Sequence, residues 1–202
     1  MKEIESIKQP KLDYHIHPLI ASRWSPRAYD PKPVEPEKLQ RIFEAARWAA
    51  SASNFQPWYF LVGFRGDTVY SKIFETLVEF NQLWVKNAPV LALAITKTTN
   101  PKGEMNKYAD YDLGQALATL SLQANAEGLF AHQMGGFDAN TAAFLLEIPE
   151  DYKVVSAFTL GYLGDAEILH PNLLKLEKSP RSRRPAAETV FTGAFGHKAD
   201  FL

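Results

Sequence analysis

The chain has 202 residues, of which 46% are hydrophobic and 22% charged, with a formal net charge of −1. This suits one domain with extensions and a real core, and excludes wholesale disorder. Near-neutrality argues against a nucleic-acid or anionic-membrane binder, and the absence of cysteine excludes disulfides, thiolate catalysis and cysteine-held metals.

Residues 1–18 read as an N-terminal arm that ends in His17-Pro18 and lacks the apolar run of a signal peptide. No stretch is long and apolar enough for a membrane span, so a cytoplasmic protein with no membrane partner is expected. His15 and His17 could ligate a metal, but no further ligand pattern accompanies them, and none is expected.

"PVEPEKLQRIFEAARWAAS" predicts a helix. Pro36 suits its first position, and Leu39, Ile42, Phe43, Ala46 and Ala49 form one apolar face. "WYFLVGF" (58–64) is aromatic and β-branched, a strand. "DTVYSKIFETLVEFNQLWVKNA" predicts one helix with Asp67 as N-cap and a stripe of Val69, Ile73, Phe74, Leu77 and Phe80; Glu75 and Glu79 read as its solvated face. "PVLALAIT" (89–96) is nearly all apolar, as in a strand covered on both faces.

"YADYDLGQALATLSLQANAEG" gives a long helix closed by Gly128. "LFAHQMGGF" is a strand running into a turn, and Asp138 can cap the short helix that follows. "YKVVSAFTLGYLG" is a further strand. Residues 165–202 are polar and punctuated by proline, and read as an extended C-terminal segment. Residues 1–202 are expected to form one α+β domain, with a central sheet and a helical layer on each side.

Neither a G-x-G-x-x-G turn nor a P-loop, G-x-S-x-G elbow or H-E-x-x-H helix occurs. Three other clusters carry chemistry. Arg23 and Arg27, with Arg181, Arg183 and Arg184, make two guanidinium-rich sites whose forks match phosphate oxygens. Ser25, Ser51 and Ser53 offer hydroxyls. Asn54 and Gln56 offer the alternating donors and acceptors that a flat heterocycle demands. Gly135 and Gly136 mark a place where backbone passes close to something. Phosphate at one end and a hydrogen-bonding ring at the other describe a mononucleotide, and with no nucleophile triad or metal set the economical choice is a redox nucleotide.

At this point the sequence resembles the nitroreductase family of FMN-dependent oxidoreductases. The resemblance rests on four blocks in register: "RWSPRAY", "SASNFQPW" after "AA", "MGGFDANTAAFLLEIPEDYKVVSAFTLGY" and "RSRRPAAETVF". Ala50 stands where relatives often have proline. The resemblance implies a mostly antiparallel sheet flanked by helices. It also implies a homodimer with FMN in the interface and a C-terminal extension wrapped around the partner subunit. By resemblance, Arg23, Arg181 and Arg183 grip the phosphate, with Arg184 less favoured. Arg27 gives electrostatic support at the pyrimidine edge, and Trp24 and Ser25 flank it. Ser51, Ser53, Asn54 and Gln56 reach the ribityl chain or ring, or simply close a turn. Gly135 and Gly136 bring a backbone N–H toward flavin N5. Trp84, Tyr108 or Phe137 would roof the substrate space.

The implied activity is ping-pong transfer from NADH or NADPH to nitroaromatic, quinone or flavin acceptors, with no side chain nominated as a catalytic acid or base. A specialised dehalogenase or oxidase of the same superfamily, or a flavin binder without turnover, are the alternatives.

Overall fold

A computed structural model describes residues 2–202. The sheet is antiparallel throughout, with four strands in the order β1-β2-β4-β3: β1 Trp58–Phe64, β2 Val90–Lys97, β3 Phe130–Met134 and β4 Tyr152–Gly161. Val155 of β4 has no opposite number, because Ala94 pairs with Ser156 and Ile95 with Val154, which makes a bulge. The expected α+β class with an antiparallel sheet is what the chain adopts.

β2 shows how the sequence builds the layers. Its residues alternate faces, and both faces are apolar. Val90, Ala92 and Ala94 pack against α3 (Pro36–Arg47) and α6 (Ala109–Ala126), through Leu39, Ile42, Leu113, Leu117 and Leu120. Leu91, Leu93 and Ile95 face the other core, with Ile73, Trp84 and Leu173. α6 ends as its sequence predicts. Gly128 has φ +75°, its N–H donates to Asn125 O and that of Leu129 to Ala124 O, closing the last turn in the Schellman manner.

Three expectations are corrected. The single helix over 67–88 is two, α4 (Thr68–Glu75) and α5 (Glu79–Val85). Between them the backbone pairs with the Gly136–Asp138 turn: Asp138 N–H donates to Thr76 O at 2.8 Å and Val78 N–H to Gly136 O at 3.0 Å. The N-terminal arm is not a loose segment. It holds α1 (Lys2–Ile7), with Ile4 in the core, and leads into α2 (Pro18–Ser22), where His17 Nδ1 accepts from Leu19 N–H. The C-terminal segment is not wholly extended either. It holds α8 (Pro171–Glu177), whose Leu173 is buried. α7 (Ala139–Leu145) is capped by Asp138, and α4 by Asp67, both as predicted. Among the described residues no helix is long and apolar enough to cross a membrane.

Candidate functional site

The N-terminal segment meets residues 179–181. Lys8 Nζ donates to Ser179 O at 2.7 Å, and Arg181 Nε returns the contact to Lys8 O at 2.7 Å. Arg181 also donates through Nη1 to Arg23 O at 2.6 Å and through Nη2 to Ala21 O at 2.5 Å. Its guanidinium is thus occupied in tying the C-terminal segment to α2 and the start of "RWSPR". Beside this knot lies a cleft of about 600 Å³. Leu12, Tyr14 and Ile20 give it apolar lining, and Arg23, Arg183 and Arg184 bring positive charge, with Asp13 the one acid among its lining residues.

Arginines far apart in sequence are therefore neighbours within one chain. Burial first, and then the Arg183 charge, hold the Arg23 guanidinium below its usual range. Arg181 is lowered by burial, then by Arg23 and Arg183. Among the described residues none of the three forms an ion pair. Arg23 Nη1 reaches only Ser25 Oγ, at 3.4 Å, and Arg183 Nη1 only Ser182 O, at 2.8 Å. Like charges held together without a counter-charge are costly in isolation, and their chemistry fits a polyanion such as a phosphate monoester.

Arg27 lies deeper. Its Nη1 is 3.9 Å from Glu177 Oε2, its Nε is buried without a hydrogen-bond partner, and its side chain is a quarter exposed. The Trp24 side chain belongs to the core: it is buried, edge-on to Phe130 at 5.8 Å and under Lys8 Nζ at 5.0 Å. Below the loop, His132 stacks on Trp84 with centroids 4.5 Å apart, and Tyr29 stacks on the same indole at 6.2 Å. His132 Nδ1 lies 2.7 Å from Pro26 O, which can only accept, so this nitrogen carries the proton. Burial depresses the His132 pKa to about 4, and the nearby Arg27 and Arg23 charges add to the effect.

The second cluster stands elsewhere. Ser53, Asn54 and Gln56 have φ of 49°, 55° and 50°, left-handed positions that side chains resist, with Phe55 between them right-handed at φ −72°. Ser51 Oγ accepts from Gln56 N–H at 3.0 Å, and Gln56 Nε2 donates to Asn54 O at 3.1 Å, closing the turn. Buried Asp112, in the first turn of α6, accepts from Ala52 N–H at 3.1 Å. Ser53, Asn54 and Gln56 are exposed and do not line the arginine cleft. Phe55 and Pro57 instead border a separate hollow of about 410 Å³ with Tyr59, Lys97 and Asn100.

The glycine turn is a third place. Phe137 N–H donates to Gly135 O at 3.0 Å, an i to i+2 bond that turns the Gly135 carbonyl inward. The trans peptide then points Gly136 N–H outward. Gly136 O accepts from Val78 N–H and Asn81 Nδ2, each at 3.0 Å. A Cβ on Gly136 would come within 2.7 Å of Asn81 Nδ2. Among the roof candidates Trp84 is fully buried and cannot roof anything, whereas Tyr108 is exposed and Phe137 half-buried.

The residues that brace these three places, Lys8, Asn81, Asp112, His132 and Glu177, were not singled out in the sequence. Each is an isolated polar residue with no motif around it, and only its burial marks it.

The sequence pattern of the nitroreductase family matches residues 20–76 and 64–162. The chain belongs to the nitroreductase family. It is 31% identical over 156 residues to an Archaeoglobus fulgidus protein named "Putative NADH dehydrogenase/NAD(P)H nitroreductase", covering 73% of this chain and 84% of that one. An uncharacterised 15.4 kDa protein of Mycolicibacterium smegmatis is 33% identical over 91 residues, 45% of this chain, and the chain spans 61% of that relative's length. A crystal structure described as "the oxidoreductase containing FMN" superposes with a TM-score of 0.88 at 37% identity, over 93% of this chain and 96% of that one.

Proposed function

We propose that the protein is a homodimeric FMN-dependent oxidoreductase that takes reducing equivalents from NADH or NADPH and delivers them to a small-molecule acceptor such as a nitroaromatic, quinone or free flavin. One observation carries the reading: Arg23 and Arg183 face a single cleft, and among the described residues neither forms an ion pair, although Asp13 lines the same cleft. A phosphate monoester carries about −1.5 to −2 charges and is matched by two or three cations. The FMN-containing relative supports the choice of mononucleotide.

Bound FMN would supply the two-electron chemistry, accepting hydride at N5 from the pyridine nucleotide and returning it to the acceptor, which gives ping-pong kinetics. The chain's own residues bind and tune. Arg23 and Arg183 offset the phosphate charge, helped by Ser25, while Arg181 holds their two segments together. Arg27 presents a fixed positive charge to the pyrimidine edge and so favours an electron-rich ring. Gly136 N–H, turned outward, is the donor offered to N5. Ser51, Ser53, Asn54 and Gln56 of the partner subunit complete the ring contacts. That assignment follows from their position outside the arginine cleft of their own chain, with Ser53, Asn54 and Gln56 exposed and Ser51 half-buried. Trp48, Tyr108, Tyr111 and Phe195, more than half exposed, supply apolar surface for the second copy.

The test is an absorption spectrum of the purified protein, followed by anaerobic NADH or NADPH. A yellow protein bleached by either nucleotide is expected, together with FMN affinity at least tenfold weaker in Arg23→Ala. A protein that takes up no added FMN, or an R23A variant that binds it as well as wild type does, overturns the reading.

A further inference from the structure

We propose that Glu177 is a positioning residue of the flavin site: from the C-terminal helix it holds the backbone of Arg27 and sets the charge that the Arg27 guanidinium presents to the cofactor. The inference rests on the reading of Arg27 as a flavin contact.

The geometry is specific. Glu177 is fully buried, at the last position of α8. Its Oε1 accepts from Arg27 N–H at 3.0 Å and from Ala28 N–H at 3.4 Å, across 150 and 149 residues of sequence. Its Oε2 makes no hydrogen bond and lies 3.9 Å from Arg27 Nη1. A closed carboxylate–guanidinium fork would stand at about 2.7–2.9 Å. One oxygen therefore fixes the loop, while the other faces the guanidinium without engaging it.

The result is an arginine held close to a negative charge with its donors still uncommitted. Arg27 Nε is buried and unpartnered, which is unusual for a native structure. A carboxylate serving the fold alone would gain most by closing the fork, because buried ion pairs need every hydrogen bond to offset desolvation. The Lys8 charge also acts on the same carboxylate, and its Nζ donates to Ser179 O and Leu176 O. Burial raises the Glu177 carboxyl's pKa, and the two backbone N–H bonds with the Arg27 and Lys8 charges oppose that rise; of the two cations, Arg27 keeps more donors free for a ligand.

The experiment compares holoenzyme and apoprotein of Glu177→Gln with wild type. Glutamine keeps an acceptor for the two backbone N–H groups and removes the charge. The midpoint potential of bound flavin is read by dye equilibration, and FMN affinity by fluorescence titration. Removing the anion should favour the reduced over the oxidised cofactor on the order of tenfold, about 30 mV upward for a two-electron couple. On an Arg27→Gln background the shift should fall by at least half, because the effect passes through Arg27. Glu177→Asp keeps the charge but withdraws the oxygen from the Arg27 N–H, and is expected to weaken FMN binding three- to tenfold with the fold intact. This second variant decides the matter should E177Q not fold. Wild-type protein that binds FMN, with an unmoved potential in E177Q or unchanged affinity in E177D, overturns this inference alone. Wild-type protein that binds no FMN overturns the underlying reading and this inference with it.

Discussion

Arg181 Nη1 donates to the carbonyl of Arg23 at 2.6 Å, so of three arginines proposed for one anion, one braces another. The sequence pairs Arg181 with Arg183 as equivalents, and the structure separates them.

Their substitutions should therefore differ in kind. Arg181→Gln removes charge-assisted bonds to three carbonyls and is expected to lower stability by about 1–3 kcal/mol in urea unfolding. Lysine should restore less than half, since one ammonium cannot span the three acceptors. Arg183→Ala, which breaks only a contact to the adjacent carbonyl, should stay within about 0.5 kcal/mol while weakening FMN binding at least tenfold.

The left-handed positions Ser53, Asn54 and Gln56 predict a trade between stability and binding. Ser53 has φ 49°, a conformation costing roughly 1–2 kcal/mol for a residue with a Cβ. Ser53→Gly should raise the thermal midpoint by an amount equivalent to roughly 0.5–1 kcal/mol, after the entropy that glycine gains in the unfolded chain. It should also weaken FMN uptake. A lower midpoint in the melting curve would show that the serine side chain, rather than backbone strain, governs this loop.

Asp112 is the anchor of that loop. Asp112→Ala leaves the Ala52 N–H without its acceptor and should cost about 1–3 kcal/mol. Asp112→Asn retains an oxygen and should cost under about 1 kcal/mol. Equal losses in the two variants, measured by denaturant titration, would assign the effect to the carboxylate charge.

His132 makes stability fall in mild acid. Its folded pKa of about 4 lies below the value of about 6.5 expected in the unfolded chain. Above pH 6.5 both states are neutral at this position, and the group contributes no pH dependence. As pH drops from 6.5 toward 4 the unfolded state takes up the proton and the folded state does not, so on the order of 3 kcal/mol is lost across that window. His132→Asn, which can still donate to Pro26 O, should flatten this segment of a stability–pH curve.

The layers of the fold were legible because β2 and α6 carry their own patterns: an unbroken apolar run in one, an apolar stripe and Gly128 in the other. The break between α4 and α5 was not. The stripe of Val69, Ile73, Phe74, Leu77 and Phe80 runs through it in helical register, and what interrupts the helix is pairing with Gly136–Asp138, some 60 residues on. The arginines and the glycine turn were legible as chemistry because their residue types are matched to phosphate and to close approach. Their braces were not, because a lone Glu177 or Asp112 in sequence looks like any solvated acid until a backbone N–H is found pointing at it. The place of Trp24 inside the motif says nothing about which way the ring turns, and it turns into the core.

The clasp between Lys8 and the 179–181 segment imposes an order on biosynthesis. The first turns of the chain leave the ribosome early, yet their acceptors and donors lie more than 170 residues downstream. At translation rates of roughly 5–20 residues per second, the gap is on the order of ten to thirty seconds. During that interval the nascent sheet can form while Ile4 and the arginine loop wait uncovered, so the anion cleft can close only after residues 179–184 have been made.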